Sequence, residues 1–377
     1  MAFDLTEEQL MLKQAAREFA ENQIVPRVKK MEETGEFPTE IILGMAEHDF
    51  FALTIPQEFG GLGLGHLARM IVLEEIGRAS AAVAMALQVF HLGIEPIVQF
   101  GSPEQKKRLL PALARGQRLA TVAVTEATGG SDPTGAQTVA RPDGDGFILN
   151  GRKVFITNSH LADVVTVLSR IGDDPKNFVA FILENGMEGF RPGRKEHKVG
   201  LRGCNTGEII LENCRVPRSN MLGNEGDGLK IALKAISESG RAGMAGCALG
   251  VLNACLEASV KFANERVLYG KPISKLQAIQ WKIADILTDL EASRLLAYRA
   301  AKLKHENKRC DTEMAMAKYY STEAAIRAAK NTCDIHGGYG VMMEFAAQRL
   351  LRDAQVLIPS AGTSEIMKVV IARAALS

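Results

Sequence analysis

The spacing of apolar residues changes period twice along the 377-residue chain, and this restricts the fold more than any other feature. Up to about residue 118 the spacing is helical. Thr6 and Gln9 form a capping-box start, and Leu12, Ala16, Phe19 and Ile24 then share one face. The same period runs through residues 40–46, 68–76 and 82–100, interrupted by a long turn at Pro56, Gly60, Gly61, Gly63 and Gly65. From about Leu119 the chain breaks into short runs rich in Val, Ile, Phe and Thr: ATVAVTE, GFILNGRKVFITNS, VVTVLSRI, FVAFILEN and GEIILENCRVP. Gly and Asp turns such as PDGDG separate them, which predicts antiparallel strands. No helix-length segment lies between them, so a parallel βαβ sheet is not expected. Beyond Gly228 the helical period returns over residues 229–265, 276–306, 312–333, 344–352 and 363–375.

The expected architecture is α+β: a helical domain over residues 1–118, an antiparallel, β-barrel-like domain over 119–228, and a four-helix bundle over 229–377. A cleft between the β domain and the bundle suits a large planar cofactor. Apolar residues are 46% of the chain, charged residues 24%, and the net charge is +1, which gives no reason to expect a nucleic-acid or bilayer partner. No apolar run reads as long enough to span a membrane, and the acidic, amphipathic N-terminus does not read as a signal peptide. The six cysteines are scattered without a CxxC pair, so reduced thiols and a cytoplasmic location are expected. The seven histidines show no metal-ligand spacing, so no metal is expected.

Five motifs carry more specific information. VAVTEATGGSD spans Val122 to Asp132, and KVFITN spans Lys153 to Asn158. ERVLYGKPISKLQAIQ runs from Glu265 to Gln280, DIHGGYG from Asp334 to Gly340, and RDAQVLIPSAGTSEI from Arg352 to Ile366. Backbone N–H groups in a Gly-rich turn can hold a flavin's pyrimidine oxygens or a phosphate, and Arg suits bidentate contact with a diphosphate. In order and spacing the motifs resemble those of the acyl-CoA dehydrogenase family across essentially the whole chain.

That resemblance implies FAD as cofactor and an acyl-CoA thioester as substrate. By position, Val124 and Thr125 would contact the isoalloxazine, Phe155 would stack on it, and Thr157 would lie near its N5. Ser131 and Arg241 would meet the CoA end of the substrate. Arg266, Tyr269 and Gln277 would reach the FAD of a neighbouring subunit, and Asp334, Gly337, Gly338, Thr363 and Glu365 would complete the cofactor site. Asp334 stands where the family usually has Gln. A homotetramer and electron-transferring flavoprotein as redox partner are further implications.

One expected group is absent. In the family a glutamate removes the proton α to the thioester carbonyl. Its usual position, in E-G-T-S, holds Ala361, and its alternative position on the bundle helix holds Gly240. The neighbouring Pro359 and Ser360 also depart from the family's usual I-Y, so one Glu-to-Ala exchange does not account for the segment. The Ala361 backbone N–H could still polarise the thioester oxygen. In VFHLGIEPI, which resembles the acyl-pocket wall, His91 and Glu95 stand at i and i+4, and an imidazole oriented by a carboxylate is a sound general base. A branch of the family acting on cyclic thioesters drops the α-base and uses a pocket-wall carboxylate. The expectation is therefore dehydrogenation of an alicyclic, unsaturated acyl-CoA such as cyclohex-1-ene-1-carboxyl-CoA. The alternatives are an enoyl-CoA reductase and a non-catalytic FAD or acyl-CoA binder.

Overall fold

A computed structural model describes residues 5–172, 174 and 176–376. Helix α1 (Glu7–Phe19) begins with the expected box: Gln9 N donates to Thr6 Oγ1 at 3.3 Å, and Thr6 N donates to Gln9 Oε1 at 3.0 Å. A π-turn at Ala20–Ile24 carries it into α2 (Val25–Thr34), followed by α3 (Thr39–Glu47), α4 (Gly65–Ala79), α5 (Ala81–Phe100) and α6 (Pro103–Ala114).

The middle of the chain forms β1 (Ala120–Ala123), β2 (Val139–Asp143), β3 (Gly146–Thr157), β4 (Val164–Ile171), β5 (Phe178–Glu184), β6 (Phe190–Lys195), β7 (Thr206–Pro217) and β8 (Met221–Leu222). Their order is β6-β7-β3-β2-β4-β5-β8, with β1 also on β4. The purely antiparallel expectation needs correction, because the sheet is mixed. β1 pairs parallel with β4 at Ala120↔Val164, and β2 pairs parallel with β4 at Val139↔Arg170. The two strands use one edge of β4 in succession, with the 124–138 loop between them. β4 follows only after β2 and β3, so a long connection is available without a crossover helix. β5 is buried on both faces: Val179, Phe181 and Leu183 enter the core within the sheet, while Ala180 and Ile182 meet Ile94 and Leu109.

Helix α7 (Gly228–Ala235), a second π-turn (Ile236–Gly240) and α8 (Arg241–Glu265) form one continuous helix. A short hairpin, β9 (Val267–Leu268) with β10 (Lys271–Pro272), leads to α9 (Gln277–His305), α10 (Asp311–His336), α11 (Ala346–Leu357) and α12 (Ser364–Leu376). α8 packs on α9, α10 and α11, and α4 lies along α8, so the first helical region and the bundle share one core.

The expectation that no run could span a membrane is also corrected. α5 (20 residues, mean hydropathy 1.6) and the 38-residue helix of α7 and α8 (1.4) are both long and apolar enough by composition. Their apolar windows are 89% and 72% buried inside the fold, so their character follows from their place in its core. α5 also approaches the sheet closely: a Cβ on Gly93 would lie 2.4 Å from Thr121 N, so only glycine lets the helix rest on β1.

Candidate active site

Two of the motifs are joined by a buried ion pair. Lys153, fully buried on β3, donates from Nζ to Glu126 Oε1 at 2.7 Å and to the Val124 carbonyl at 3.2 Å. Glu126 also accepts from Thr138 N at 3.0 Å, from Thr138 Oγ1 at 2.6 Å and from Gln137 N at 2.5 Å. Burial opposes ionisation of Glu126, but Lys153 and these donors outweigh it and hold the carboxyl below its ordinary value. The loop from Val124 to Thr138 is thereby tied at both ends. Val154 N donates to the Thr125 carbonyl at 2.9 Å, and Val124 is buried beside it. Ser131 lies exposed on the loop, next to Asp132, which accepts from Thr134 N at 3.0 Å.

Phe155 is the most unusual residue of β3. It sits in a bulge between Lys153 and Ile156, at φ +58°, with 64% of its surface exposed. An aromatic in left-handed backbone inside a strand is strained, and such strain collects where a side chain must be aimed at a ligand. Thr157 accepts at its carbonyl from Thr121 Oγ1 at 2.9 Å, and Asn158 donates from Nδ2 to the Ala86 carbonyl at 3.0 Å, locking this strand end to α5.

A second region opens between the hairpin and the end of α10. A cavity of about 710 Å³ is lined by Arg266, Ile273, Asp334, Gly337, Gly338 and Tyr339, among others. Gly337 has φ +57°, and a Cβ on it or on Gly338 would meet nothing within 4 Å, so both present bare backbone to open space. Arg266 lies over the Tyr339 ring at 5.6 Å. Tyr269, 90% exposed at the hairpin tip, and Gln277, exposed at the start of α9, extend outward nearby in the chain. The Asp334 carboxylate is engaged by Lys282 at 2.8 Å and Lys330 at 2.9 Å, which hold it below its usual range. Thr363 precedes α12 and accepts from Ile366 N at 3.4 Å, and Glu365 is exposed in that helix's first turn.

The third region lies where the 358–362 loop meets the start of α8. The two positions where the family places its glutamate come together, because a Cβ on Gly240 would lie 3.2 Å from the Ala361 methyl and 3.8 Å from Leu92 Cδ1. The side-chain atoms nearest that Cβ position are therefore all hydrocarbon. Ala361 has φ +54°, a left-handed conformation costing an L-residue roughly 1–2 kcal/mol. Lys318, fully buried on α10, holds the loop by donating to the carbonyls of Ile358 and of Gly362, the latter at 2.7 Å. Burial brings the Lys318 ammonium down to about 8. Arg241 begins α8 directly after the π-turn, a helix defect that often marks functional sites.

The structure corrects the His91–Glu95 pairing. His91 is fully buried with Nδ1 3.5 Å from Thr54 Oγ1, and its Nε2 has no partner. Glu95 accepts from Gln99, whose amide also donates to Glu238 at 2.8 Å, and not from His91. Burial first, and then the charge of Arg69, push the His91 imidazole down to about 3. A ring that resists protonation this strongly is a poor proton acceptor near neutral pH. The spacing was right for a shared helix face, but Thr54 and Arg69 come from other elements, and no local pattern reveals them. Among the described residues no cluster of three or more His, Cys, Asp or Glu side chains could hold a metal.

The exposed, strained Phe155, the bound Glu126 loop and the bare Gly337–Gly338 backbone beside Arg266 together fit a flavin dinucleotide. Comparison with known proteins agrees. Sequence models of the acyl-CoA dehydrogenase N-terminal, middle and C-terminal domains match residues 6–117, 121–214 and 226–376. An acyl-CoA dehydrogenase of Bacillus subtilis (strain 168) is 40% identical over 98% of each chain. The caffeyl-CoA reductase-Etf complex subunit CarC of Acetobacterium woodii is 37% identical over 97% of each. The solved butyryl-CoA dehydrogenase of Megasphaera elsdenii superposes with a TM-score of 0.97 at 34% identity, covering all of both chains. The chain belongs to the acyl-CoA dehydrogenase family and is a flavin-dependent oxidoreductase with FAD as its cofactor.

Sequence reading missed Lys318, Arg69 and the Lys153–Glu126 link. The signal for Lys318 was present: it falls on the apolar stripe formed by Met314, Ala315 and Ala317, where a lysine must find buried acceptors.

Proposed function

We propose that this protein saturates an α,β-unsaturated acyl-CoA, receiving its electrons from an electron-transferring flavoprotein. The observation that carries the reading is that a side chain added at Gly240 would meet only the Ala361 methyl, Ile236 and Leu92, so neither position that the resemblance assigns to the base carries a proton acceptor. Abstracting a proton from a saturated α-carbon requires a positioned acceptor, whereas an enolate takes a proton from water. When bound, FAD supplies the hydride chemistry. The chain contributes the rest. The Ala361 N–H polarises the thioester oxygen, Lys318 fixes the loop that aims it, and Arg241 orients the CoA end. Water delivers the α-proton through the gap left by the missing carboxylate. The resemblance to a reductase–Etf complex subunit supports both the direction and the partner. A homotetramer, in which Arg266, Tyr269 and Gln277 serve a neighbour's cofactor, belongs to the same reading.

A second reading keeps dehydrogenation of an alicyclic unsaturated thioester such as cyclohex-1-ene-1-carboxyl-CoA. The absence of a glutamate side chain at both Ala361 and Gly240 favours it, because a ring needs that width. Its base would have to be a group other than the desolvated His91.

Anaerobic mixing separates the two. Photoreduced protein reoxidised by a straight-chain enoyl-CoA, with no bleaching of oxidised protein by the cyclohexene thioester, is the expected result. Bleaching by the cyclohexene thioester alone would replace the first reading with the second.

A further inference from the structure

The π-turn between α7 and α8 is gripped by side chains from three other helices, and the chemistry above uses none of them. Arg69 on α4 is fully buried, donating from Nη1 to Ser239 Oγ at 2.5 Å and from Nη2 to the Ser239 carbonyl at 2.9 Å. The charge of Glu95 acts on Arg69 from further off, but among the described residues the hydrogen bonds of the guanidinium go to Ser239. Gln88 on α5, also fully buried, donates from Nε2 to the same carbonyl at 3.2 Å and to that of Gly240 at 3.4 Å. Glu238, in the same turn, accepts from Lys304 on α9 and from Gln99 on α5, the latter at 2.8 Å. The grip is built into the packing: a Cβ on Gly243 would lie 1.6 Å from Gln88 Oε1, so that position must stay glycine for Gln88 to fit.

A π-turn holds one residue more than an α-turn and is rarely adopted without support. Here the Arg241 N–H bonds to the Ile236 carbonyl, five residues back. One residue corresponds to roughly 100° of rotation about a helix axis. Relaxation of the turn to α-helical register would therefore swing everything from Arg241 onward through about that angle relative to α7. The first side chain to feel it is Arg241 itself. Its Nε is buried without a partner, so no contact at that nitrogen fixes its aim and the backbone register has to. Charged donors make hydrogen bonds roughly twice as strong as neutral ones, so the two from Arg69 to Ser239 are a firm restraint on that register.

We propose that Arg69 and Gln88 are positioning residues for Arg241. By holding the Ser239 and Gly240 carbonyls they keep α8 in the register that the π-turn sets, and that register aims the Arg241 guanidinium at the CoA end of the thioester. Neither residue acts by touching the substrate. The inference rests on the reading that Arg241 orients the CoA end, and not on the direction of the reaction.

The test is a double-mutant cycle on the oxidised FAD-bound protein, with affinity for but-2-enoyl-CoA read from flavin absorbance. Arg241→Gln and Arg69→Met should each weaken binding about tenfold, whereas Arg69→Met added to Arg241→Gln should cost less than about twofold more. Arg69→Lys, which keeps a charged donor, should recover part of the loss. Gln88→Leu should show the same dependence on Arg241, and it stands in for Arg69→Met should that variant not fold. A full further tenfold loss in the double variant would overturn the inference, leaving Arg69 a general brace of the core. Unchanged affinity in Arg69→Met, with weakened binding in Arg241→Gln, would sink this inference alone. Unchanged affinity in Arg241→Gln would sink it together with the reading of Arg241 on which it rests.

Discussion

At Lys153 a fully buried cation has its carboxylate 2.7 Å away, while at Arg69 an equally buried cation donates to Ser239, forms no ion pair among the described residues, and feels the charge of Glu95 from further off. Beside Lys153, Glu126 accepts four hydrogen bonds from protein donors, which tie down the 124–138 loop. Arg69 lies against the Ser239–Gly240 turn, where several buried polar atoms lack partners. The contrast teaches where each half draws its stability. The Lys153 cluster is compensated within the fold. The Arg69 cluster is compensated only in part.

The largest predicted effect concerns the absent glutamate. Ala361→Glu should raise oxidation of butyryl-CoA by about 10²–10⁴-fold, the usual contribution of a placed general base, read from flavin bleaching rates. An unchanged rate would show that Ala361 is not the deficient position. On the compensated side, Lys153→Met strands the Glu126 carboxylate and should cost about 3–5 kcal/mol in urea unfolding, with loss of bound FAD. A smaller cost would mean that Glu126 is not truly desolvated. Lys318→Met removes two charge-assisted bonds to the Ala361 loop, each worth about 1.5–3 kcal/mol. It should lower kcat for enoyl-CoA reduction more than it raises KM, because it disturbs the aimed N–H and not the CoA contacts.

The smallest effect is a pH slope. His91 is held at about 3 in the folded chain against an ordinary value of 6.5, so between these values the unfolded chain binds the extra proton. Stability should be fully present above pH 6.5 and fall on acidification toward 3, by about 1.4 kcal/mol per pH unit for this one group. His66 is shifted the same way. His91→Gln should remove one histidine's share of that slope, and an unaltered slope would contradict the burial of an uncharged ring.

The period changes along the chain made the helical, sheet and helical regions legible, and the capping box at Thr6 formed as its residues dictate. The direction of β1 and β2 against β4 was not legible, because strand pairing is decided by partners tens of residues away. The motif residues Phe155, Arg266 and Gly337 could be picked out by resemblance, but the bulge that exposes Phe155 and the ion pair that joins Glu126 to Lys153 could not. Arg69 lies in RMIVLEEIGR, whose apolar period marks a helix but not what the arginine meets. Its burial depends on Ser239, 170 residues later. His91 shows the limit of local spacing: the i+4 carboxylate was there, yet Gln99 engages it and Thr54 meets the ring.

The central claim is that no side chain acts as base at the substrate α-carbon. It is tested most directly by incubating the FAD-bound protein with butyryl-CoA in D₂O and following deuterium entry at the α-position by mass spectrometry. The account predicts no exchange above the protein-free rate in the wild type and clear exchange in Ala361→Glu. Rapid exchange catalysed by the wild type would contradict it and would require a base that Ala361, Gly240 and Leu92 do not provide.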